Sequence, residues 1–149
     1  EVNLKQEQVR IFTTPIRTGT TIVLNNIYYD FNAHTIKAGA AKELEELASV
    51  MHRYPSMQIE LIAYTDARGE EYYNLELSQK RAQAARSYLM DKGISASRNK
   101  SFGFGEARVR NHCFDGVDCT EEEHAYNRRT EVKVIRINEE VEFKENRNN

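Results

Sequence analysis

An apolar run at residues 59–63 passes through a short polar turn into a long helical pattern, and this junction limits the folds that the chain can adopt. A strand followed directly by a helix is the repeating unit of α/β architectures. The turn carries an acid, Asp66, and the helix carries an amide and a cation, Asn74 and Arg81. An acid and a base held in one crevice suit a zwitterionic ligand better than they suit a nucleophilic reaction.

The helix after this turn has a periodic apolar face. At about 100° per residue, the stripe predicted to face the core consists of Leu75, Ser78, Ala82, Ala85 and Leu89. Arg81 lies at the edge of that stripe, and Asn74 lies two turns earlier on the same edge. Because a guanidinium is costly to desolvate without a partner, we expect an anion at Arg81. That anion is either a ligand carboxylate or the partner in a structural ion pair, Asp66 or another acid.

The remaining apolar and turn patterns predict the order of elements. Strands are expected at residues 21–31, 58–65, 100–104 and 130–137. The first helix is expected to end before Pro55, the second to cover residues 71–91, and a helical turn to lie at residues 121–125. This order predicts an α/β fold, an α+β sandwich of βαβαβ type with one mixed sheet and helices packed on one face.

One domain is expected at residues 21–137, after a leader or linker at residues 1–20 that could add a short edge strand, and before a charged tail at residues 138–149. The net charge of −2 gives no positive field that would attract nucleic acid. The longest apolar runs are far shorter than a membrane span. The chain begins at Glu1 without a signal peptide, and we expect it to be a processed piece of a longer protein.

The two cysteines, Cys113 and Cys119, leave three alternatives open. Gly116 between them lets the loop fold back, which favours a local disulfide that would stabilise the fold by about 2 kcal/mol and place it in an oxidising compartment. A zinc site is the second alternative, since His112 and His124 would complete a set of four ligands. Two free thiols are the third.

Six motifs in order are similar to those of a known family. They are Tyr29-Asp-Phe-Asn32, Thr65-Asp66-x-x-Gly69, Tyr73-Asn74-x-x-Leu77-Ser78-x-x-Arg81-Ala82, Gly93-Ile94-x-x-Ser97-Arg98, Gly103-Phe104-Gly105-Glu106 and Asn127-Arg128-Arg129-Thr-Glu131-Val132. The chain resembles the OmpA-like C-terminal domain over residues 22–137. This peptidoglycan-binding module also occurs in peptidoglycan-associated lipoproteins and in flagellar stator proteins of the MotB type.

The resemblance implies a non-catalytic, non-covalent contact with the diaminopimelate of a peptidoglycan stem peptide. Asp66 would accept from the ammonium of that zwitterion, and Arg81 would form a bidentate contact with its carboxylate. Asn74 would add an amide contact. Three further positions correspond to the groove of the family, namely Asn32, Thr65 and Arg128. Of the neighbouring pair, Arg128 is expected to contact the ligand and Arg129 to be a surface charge or a brace across the sheet.

One residue departs from the family pattern, because Tyr64 stands where the family usually has histidine. Tyrosine can stack and donate a hydrogen bond, but it does not titrate near neutral pH. The cysteine loop before Asn127 also looks longer than in the shorter family members, and we expect it to reshape one rim of the groove.

The resemblance places the domain in the periplasm of a Gram-negative envelope, anchoring an outer-membrane protein to the cell wall through the part of the protein outside this sequence. We expect no enzymatic activity, cofactor or metal. The alternative function is a zinc- or disulfide-stabilised interaction module of the envelope that uses the Cys113–Cys119 loop, and a protein partner or a homodimer also stays open.

Overall fold

A computed structural model describes residues 15–24, residue 36 and residues 38–138 of the chain. The elements are β1 Thr21–Leu24, α1 Ala38–Arg53, β2 Gln58–Ala63, α2 Glu71–Asp91, a 3₁₀ turn Ala96–Arg98, β3 Asn99–Gly103, α3 Glu121–Ala125 and β4 Thr130–Arg136. The sheet has the order β1-β4-β2-β3. β4 is antiparallel to both of its neighbours, and β2 is parallel to β3. The predicted mixed sheet and α/β class are therefore confirmed.

The sheet has one buried face, which follows from the alternation of apolar residues along its strands. Along β2, Ile59, Leu61 and Ala63 are buried, and Val132 and Val134 of β4 continue the same face. The helices α1 and α2 pack against it as one layer, with Leu44, Leu47, Met51, Ala85 and Leu89 in the shared core. The parallel pair β2–β3 is joined through α2, since parallel strands need a long crossover.

The predicted boundaries hold to within a few residues where they can be compared, and α2 and α3 begin and end at the predicted residues. The predicted first strand begins at Thr21 as expected, but residues 25–31 lie outside the described residues, as does Asn32. Ile16, in the predicted leader, is fully buried in the core, and the backbone N–H of Gly19 donates to the carbonyl of Val134 at 2.8 Å. This part of the leader therefore packs at the edge of the sheet.

The prediction for the inward face of α2 was wrong in two respects. Leu75 is 37% exposed, whereas Leu77, left out of the predicted stripe, is buried. Arg81 lies inside the stripe rather than at its edge and is fully buried. The buried face is centred on the line through Asn74, Ser78 and Arg81, because this helix turns its polar motif residues toward the sheet. Leu75 borders the Gly105 turn with its backbone, which leaves its side chain outside.

A close approach between α2 and the end of β3 explains part of the motif pattern. A Cβ atom at Gly103 would lie 2.2 Å from the backbone nitrogen of Gln79 and 2.4 Å from Oγ of Ser78, so only glycine fits. The Ser78 hydroxyl donates to the carbonyl of Leu75 at 2.8 Å and accepts from the N–H of Gly105 at 2.8 Å. Gly103 and Ser78 together fix the helix against the strand end that borders the Asp66 turn.

Arg98 closes the C-terminal end of α1. Its guanidinium donates to the carbonyls of Met51, Tyr54 and Met57 at 2.7, 3.0 and 3.0 Å. The last carbonyls of a helix have no partner within the helix, so this side chain supplies the missing donors. The family motif that contains Arg98 thus has a structural explanation.

Cys113 and Cys119 form a disulfide, which is the first of the three alternatives for these cysteines. The loop that it closes leads into α3, where the side chain of Thr120 accepts from the N–H of Glu123 at 3.1 Å and Glu123 Oε1 accepts from the N–H of Thr120 at 2.9 Å. This reciprocal capping box fixes the start of the short helix. None of the described helices is both long and apolar enough to cross a membrane.

We predict that Gly103→Ala lowers the free energy of unfolding by roughly 1–3 kcal/mol, because the added methyl group overpacks the helix–strand contact. Gly39→Ala is the matched control, since Gly39 is exposed within α1 and the same change there is expected to be neutral or to stabilise by up to about 1 kcal/mol. Urea unfolding of both variants measures the difference. Equal effects at the two positions would contradict the close approach.

Reduction of the Cys113–Cys119 bridge is predicted to lower the free energy of unfolding by only about 2 kcal/mol, because the closed loop is short. Amide hydrogen exchange should rise within the loop while β2 and β4 stay protected. Thermal unfolding with and without a reducing agent, together with a Cys113→Ala/Cys119→Ala variant, measures this. Loss of the whole cooperative transition on reduction would show that the bridge supports the core itself.

Candidate functional site

The carboxylate of Asp66 is the centre of the candidate site. It follows β2 directly, and the turn holds its side chain almost completely buried, at 2% exposure. Its Oδ1 accepts from the backbone N–H of Arg68 at 3.0 Å and from Nε of Arg68 at 3.3 Å. Its Oδ2 accepts from Nη2 of Arg68 at 2.9 Å and from Nη1 of Arg128 at 2.8 Å. Both oxygens are therefore engaged by guanidinium groups.

A second acid completes this group. Glu121, the first residue of α3, accepts from Arg68 at 3.1 Å and from Arg128 at 2.6 Å. Asp66, Arg68, Arg128 and Glu121 thus form a ring of two acids and two bases, which we call the ion cluster. Its two ends differ, because the side chains of Asp66 and Arg128 are 3% and 5% exposed whereas those of Arg68 and Glu121 are 32% and 62% exposed. Solvent reaches the cluster from the Arg68–Glu121 side.

The ion cluster keeps its acids ionised. Burial opposes ionisation of Asp66, but the hydrogen bonds from Arg68 and Arg128 outweigh it and hold the pKa of that carboxyl below its usual value. The pKa of Glu121 is also lowered, chiefly by the hydrogen bond from Arg128. The cluster is therefore a preformed arrangement of full charges at neutral pH, with no net charge of its own.

Asn74 ties the first turn of α2 to the Asp66 turn. Its amide nitrogen donates to the carbonyls of Asp66 and Arg68 at 3.4 and 2.8 Å and to Oε1 of Glu106 at 2.7 Å. Burial and the neighbouring carboxyl group of Asp115 raise the pKa of Glu106. Asn74 thus joins the backbone of the Asp66 turn to the acidic pair formed by Glu106 and Asp115.

Two other predicted site residues, Thr65 and Arg81, are buried. Thr65 is 3% exposed, and its Oγ1 has no hydrogen-bond partner among the residues that the structure describes. Arg81 is 0% exposed and lies on the buried face of α2 that also carries Asn74. The structure therefore brings Asp66, Asn74 and Arg128 into one network, places Thr65 and Arg81 in the protein interior, and does not describe Asn32.

Arg129 braces the sheet. Its guanidinium lies 4.0 Å from the ring centroid of Tyr64 and donates to Glu131 at 2.7 Å and to the carbonyl of Arg108 at 3.0 Å. Tyr64 is buried and packs edge to face with Phe104, with ring centroids 6.0 Å apart. Tyr64, which stands where the family usually has histidine, therefore packs between the guanidinium of Arg129 and the ring of Phe104, next to the Asp66 turn.

Sequence reasoning missed three residues of this network, namely Arg68, Glu106 and Glu121. Arg68 stands at a variable position of the Thr-Asp-x-x-Gly motif, and its signal is the spacing of two residues from an acid in a turn, which permits a side chain to fold back. Glu121 is distant in sequence from Asp66, and only the fold brings it near. Glu106 lies within one of the six motifs, but its partner Asn74 lies on another element.

A cleft of about 530 Å³ opens beside the ion cluster, between the Asp66 turn and the disulfide loop. The one group of residues in the described part of the chain that could hold a metal comprises His112, Cys113, Cys119 and Glu123. The two sulfurs are bonded to each other, so they cannot serve as thiolate ligands in this state. His124 of the predicted zinc set does not belong to this group.

A family model and individual relatives in sequence were compared with this chain, and their results agree. The model of the OmpA family matches residues 28–121. The chain is 33% identical over 137 residues to the probable lipoprotein YiaD of Escherichia coli, covering 90% of this chain and 60% of that protein. It is 34% identical over 100 residues to the peptidoglycan-associated lipoprotein of Agrobacterium fabrum, covering 67% of this chain and 56% of that protein. The chain thus spans little more than half the length of these curated relatives.

The solved structures agree with the sequence relatives. The peptidoglycan-associated lipoprotein of Burkholderia pseudomallei superposes with a TM-score of 0.64 at 27% identity, covering 72% of this chain and 87% of that chain. The region that matches the model of the OmpA family, residues 28–121, contains both β2 and α2, and hence the turn that carries Asp66. The fold, the ion cluster on its strand–helix turn and these similarities lead to one conclusion: the chain belongs to the OmpA family.

Proposed function

We propose that the domain binds peptidoglycan without catalysis, through the diaminopimelate of the stem peptide, and anchors an outer-membrane protein to the cell wall from the periplasmic side. The observation that carries the proposal is the buried Asp66 carboxylate held between two guanidinium groups at a solvent-accessible turn. Membership of the OmpA family supports it, as do relatives that are named peptidoglycan-associated lipoproteins. The disulfide is consistent with an oxidising compartment.

The chemistry of the ion cluster matches that of a zwitterion. In the unliganded domain, Arg68 donates to Asp66 from the solvent side, where its side chain remains 32% exposed. A ligand ammonium can take the place of that guanidinium on Asp66, and the released Arg68 can then bind the carboxylate of the same stereocentre. The exchange conserves the number of ion pairs, so it avoids leaving a buried charge without a partner.

Arg128 and Arg81 have different parts in this proposal. Arg128 donates to Oδ2 of Asp66 from the buried end of the ion cluster and keeps the carboxyl ionised while the ligand exchanges. Arg81 remains the proposed bidentate partner of a ligand carboxylate, with Asn32, Thr65 and Asn74 as further groove contacts. Because Arg81 is fully buried, its contact with a ligand requires that the segments covering it move on binding.

The expected affinity of one site is modest. Two or three charge-assisted hydrogen bonds contribute roughly 1.5–3 kcal/mol each, and part of this is offset by the exchange of Arg68 and by immobilising a flexible peptide. A dissociation constant between about millimolar and micromolar follows. The cell wall repeats the same ligand many times, so several domains held at one membrane would bind by avidity.

We predict that Asp66→Ala reduces binding to diaminopimelate-type sacculi by at least tenfold, because it removes a charge-assisted contact of about 1.5–3 kcal/mol. Arg81→Ala is predicted to do the same. Asp91→Ala and Arg53→Ala are the matched controls, since both residues are exposed at helix ends, and they should pellet like the parent. Co-sedimentation over a range of sacculus concentrations gives the apparent affinities.

Folding is verified for each variant by thermal unfolding and by amide spectra. Since Arg81 is buried, Arg68→Ala serves as a second variant that removes an accessible cation of the cluster and leaves the core intact. A folded Asp66→Ala variant that pellets as well as the parent would overturn the proposed site. Failure of the parent to pellet at any concentration, even when several copies are displayed on one bead, would overturn the proposed function.

A further inference from the structure

The cleft beside the ion cluster is bounded by two different walls. One wall is the Asp66 turn, with Ala67, Arg68 and Gly69, and the other is the disulfide loop from Phe114 to Cys119. His124 and Glu121 of α3 also line the cleft. Its volume of about 530 Å³ falls within the range of small-molecule binding sites. None of the residues proposed to contact diaminopimelate lies on the disulfide-loop wall, so the proposed function does not explain that wall.

The disulfide-loop wall combines apolar and hydrogen-bonding groups. Phe114 is 61% exposed and Val117 is 40% exposed, although both are apolar. The carboxylates of Asp115 and Asp118 stand beside them in the same loop. An exposed ring next to carboxylates suits a ligand that has one apolar face and several hydroxyl or amide donors.

A second observation also points to a ligand. His124 is only 6% exposed and lines the cleft, and its Nδ1 has no hydrogen-bond partner among the described residues. Buried polar atoms of native proteins nearly always have a partner. The imidazole is therefore a group of the cleft whose hydrogen-bonding capacity the described protein leaves unfilled.

The charges of the disulfide-loop wall decide against an anionic ligand at that wall. Its charged groups, Asp115 and Asp118, are acidic and would repel a carboxylate. The cation of the cleft, Arg68, belongs to the opposite wall, where it contacts Asp66 and Glu121. A neutral ligand with hydroxyl groups and an apolar face meets no such repulsion at the disulfide-loop wall.

We propose that this cleft is a glycan subsite that takes an N-acetylated amino sugar of the peptidoglycan strand. The apolar face and the acetamido methyl group would contact Phe114 and Val117, and the hydroxyl and amide groups would bond to Asp115, Asp118 and His124. The proposal rests on the proposed function, because it extends the same ligand beyond the ion cluster. It gives the disulfide loop a role in recognising the glycan rather than the peptide.

The loop is built to hold this wall in place without a ligand. The disulfide joins its two ends, and the backbone N–H of the buried Cys113 donates to the side-chain oxygen of Asn111 at 3.1 Å. The capping box at Thr120 fixes the following helix and with it His124. A wall that is already ordered loses little entropy on binding, which favours recognition of a weakly bound sugar.

The test is an NMR titration of the 149-residue chain with tri-N-acetylchitotriose, a soluble glycan without any peptide. Signals of the loop, including the Gly116 amide, and of the His124 ring are expected to shift in a saturable manner. Cellotriose, which lacks the acetamido groups, should bind at least fivefold more weakly. Phe114→Ala should weaken binding by about three- to tenfold through loss of the aromatic contact, whereas Tyr72→Ala, another exposed aromatic residue, should leave it unchanged.

A diaminopimelate-containing tripeptide is titrated in parallel, so that the two proposals can fail separately. The glycan subsite is supported when Phe114→Ala weakens binding of the sugar and leaves the affinity for the tripeptide unchanged. It is overturned when the sugar shifts no signal of the cleft, when cellotriose binds equally well, or when Phe114→Ala weakens the tripeptide instead. Failure of the tripeptide to bind would count against the proposed function and not against the sugar result.

Discussion

The structure depends on burying one carboxylate, that of Asp66, at the end of a central strand. Removing an acid from water is costly, and a buried acid persists in ionised form only when strong donors surround it. Here two guanidinium groups and a backbone N–H supply those donors, and they come from the turn itself and from the segment before β4. The charge therefore holds together two parts of the chain that lie 62 residues apart, and α3 joins them through Glu121.

The same requirement explains features that look unrelated in the sequence. Gly103 lets α2 approach β3 closely enough for Asn74 to reach the backbone of the Asp66 turn. Tyr64 and Arg129 stack on each other two residues before Asp66, where β2 passes into the turn. The packing on the buried side of the strand thus positions a charged turn on its outer end. The proposed exchange of partners at Asp66 would therefore leave the core packing unchanged.

The sequence predicted the fold well because its signals were local and redundant. The alternation along β2, the long helical pattern and the glycine after it each indicate an element independently, and α2 begins and ends as expected. The inward face of α2 was predicted less well, since hydrophobicity alone favoured Leu75 over Asn74 and Arg81. This helix buries polar residues, so it departs from the apolar rule at Asn74 and Arg81, two of the proposed contact positions.

The network at the candidate site was predicted only in part, for a similar physical reason. Asp66, Asn74 and Arg128 occupy motif positions, and the structure joins them in one network. Arg68 and Glu121 could not be assigned from the chain, because an ion cluster depends on which side chains the loops bring together. The proposed exchange of Arg68 for a ligand ammonium can be followed in ¹⁵N spectra of the Arg68 side chain during titration with a diaminopimelate-containing tripeptide. We expect the Nε–H signal of Arg68 to shift in parallel with ligand binding as the guanidinium leaves Asp66, whereas saturation of the domain with that signal unchanged would rule out the exchange.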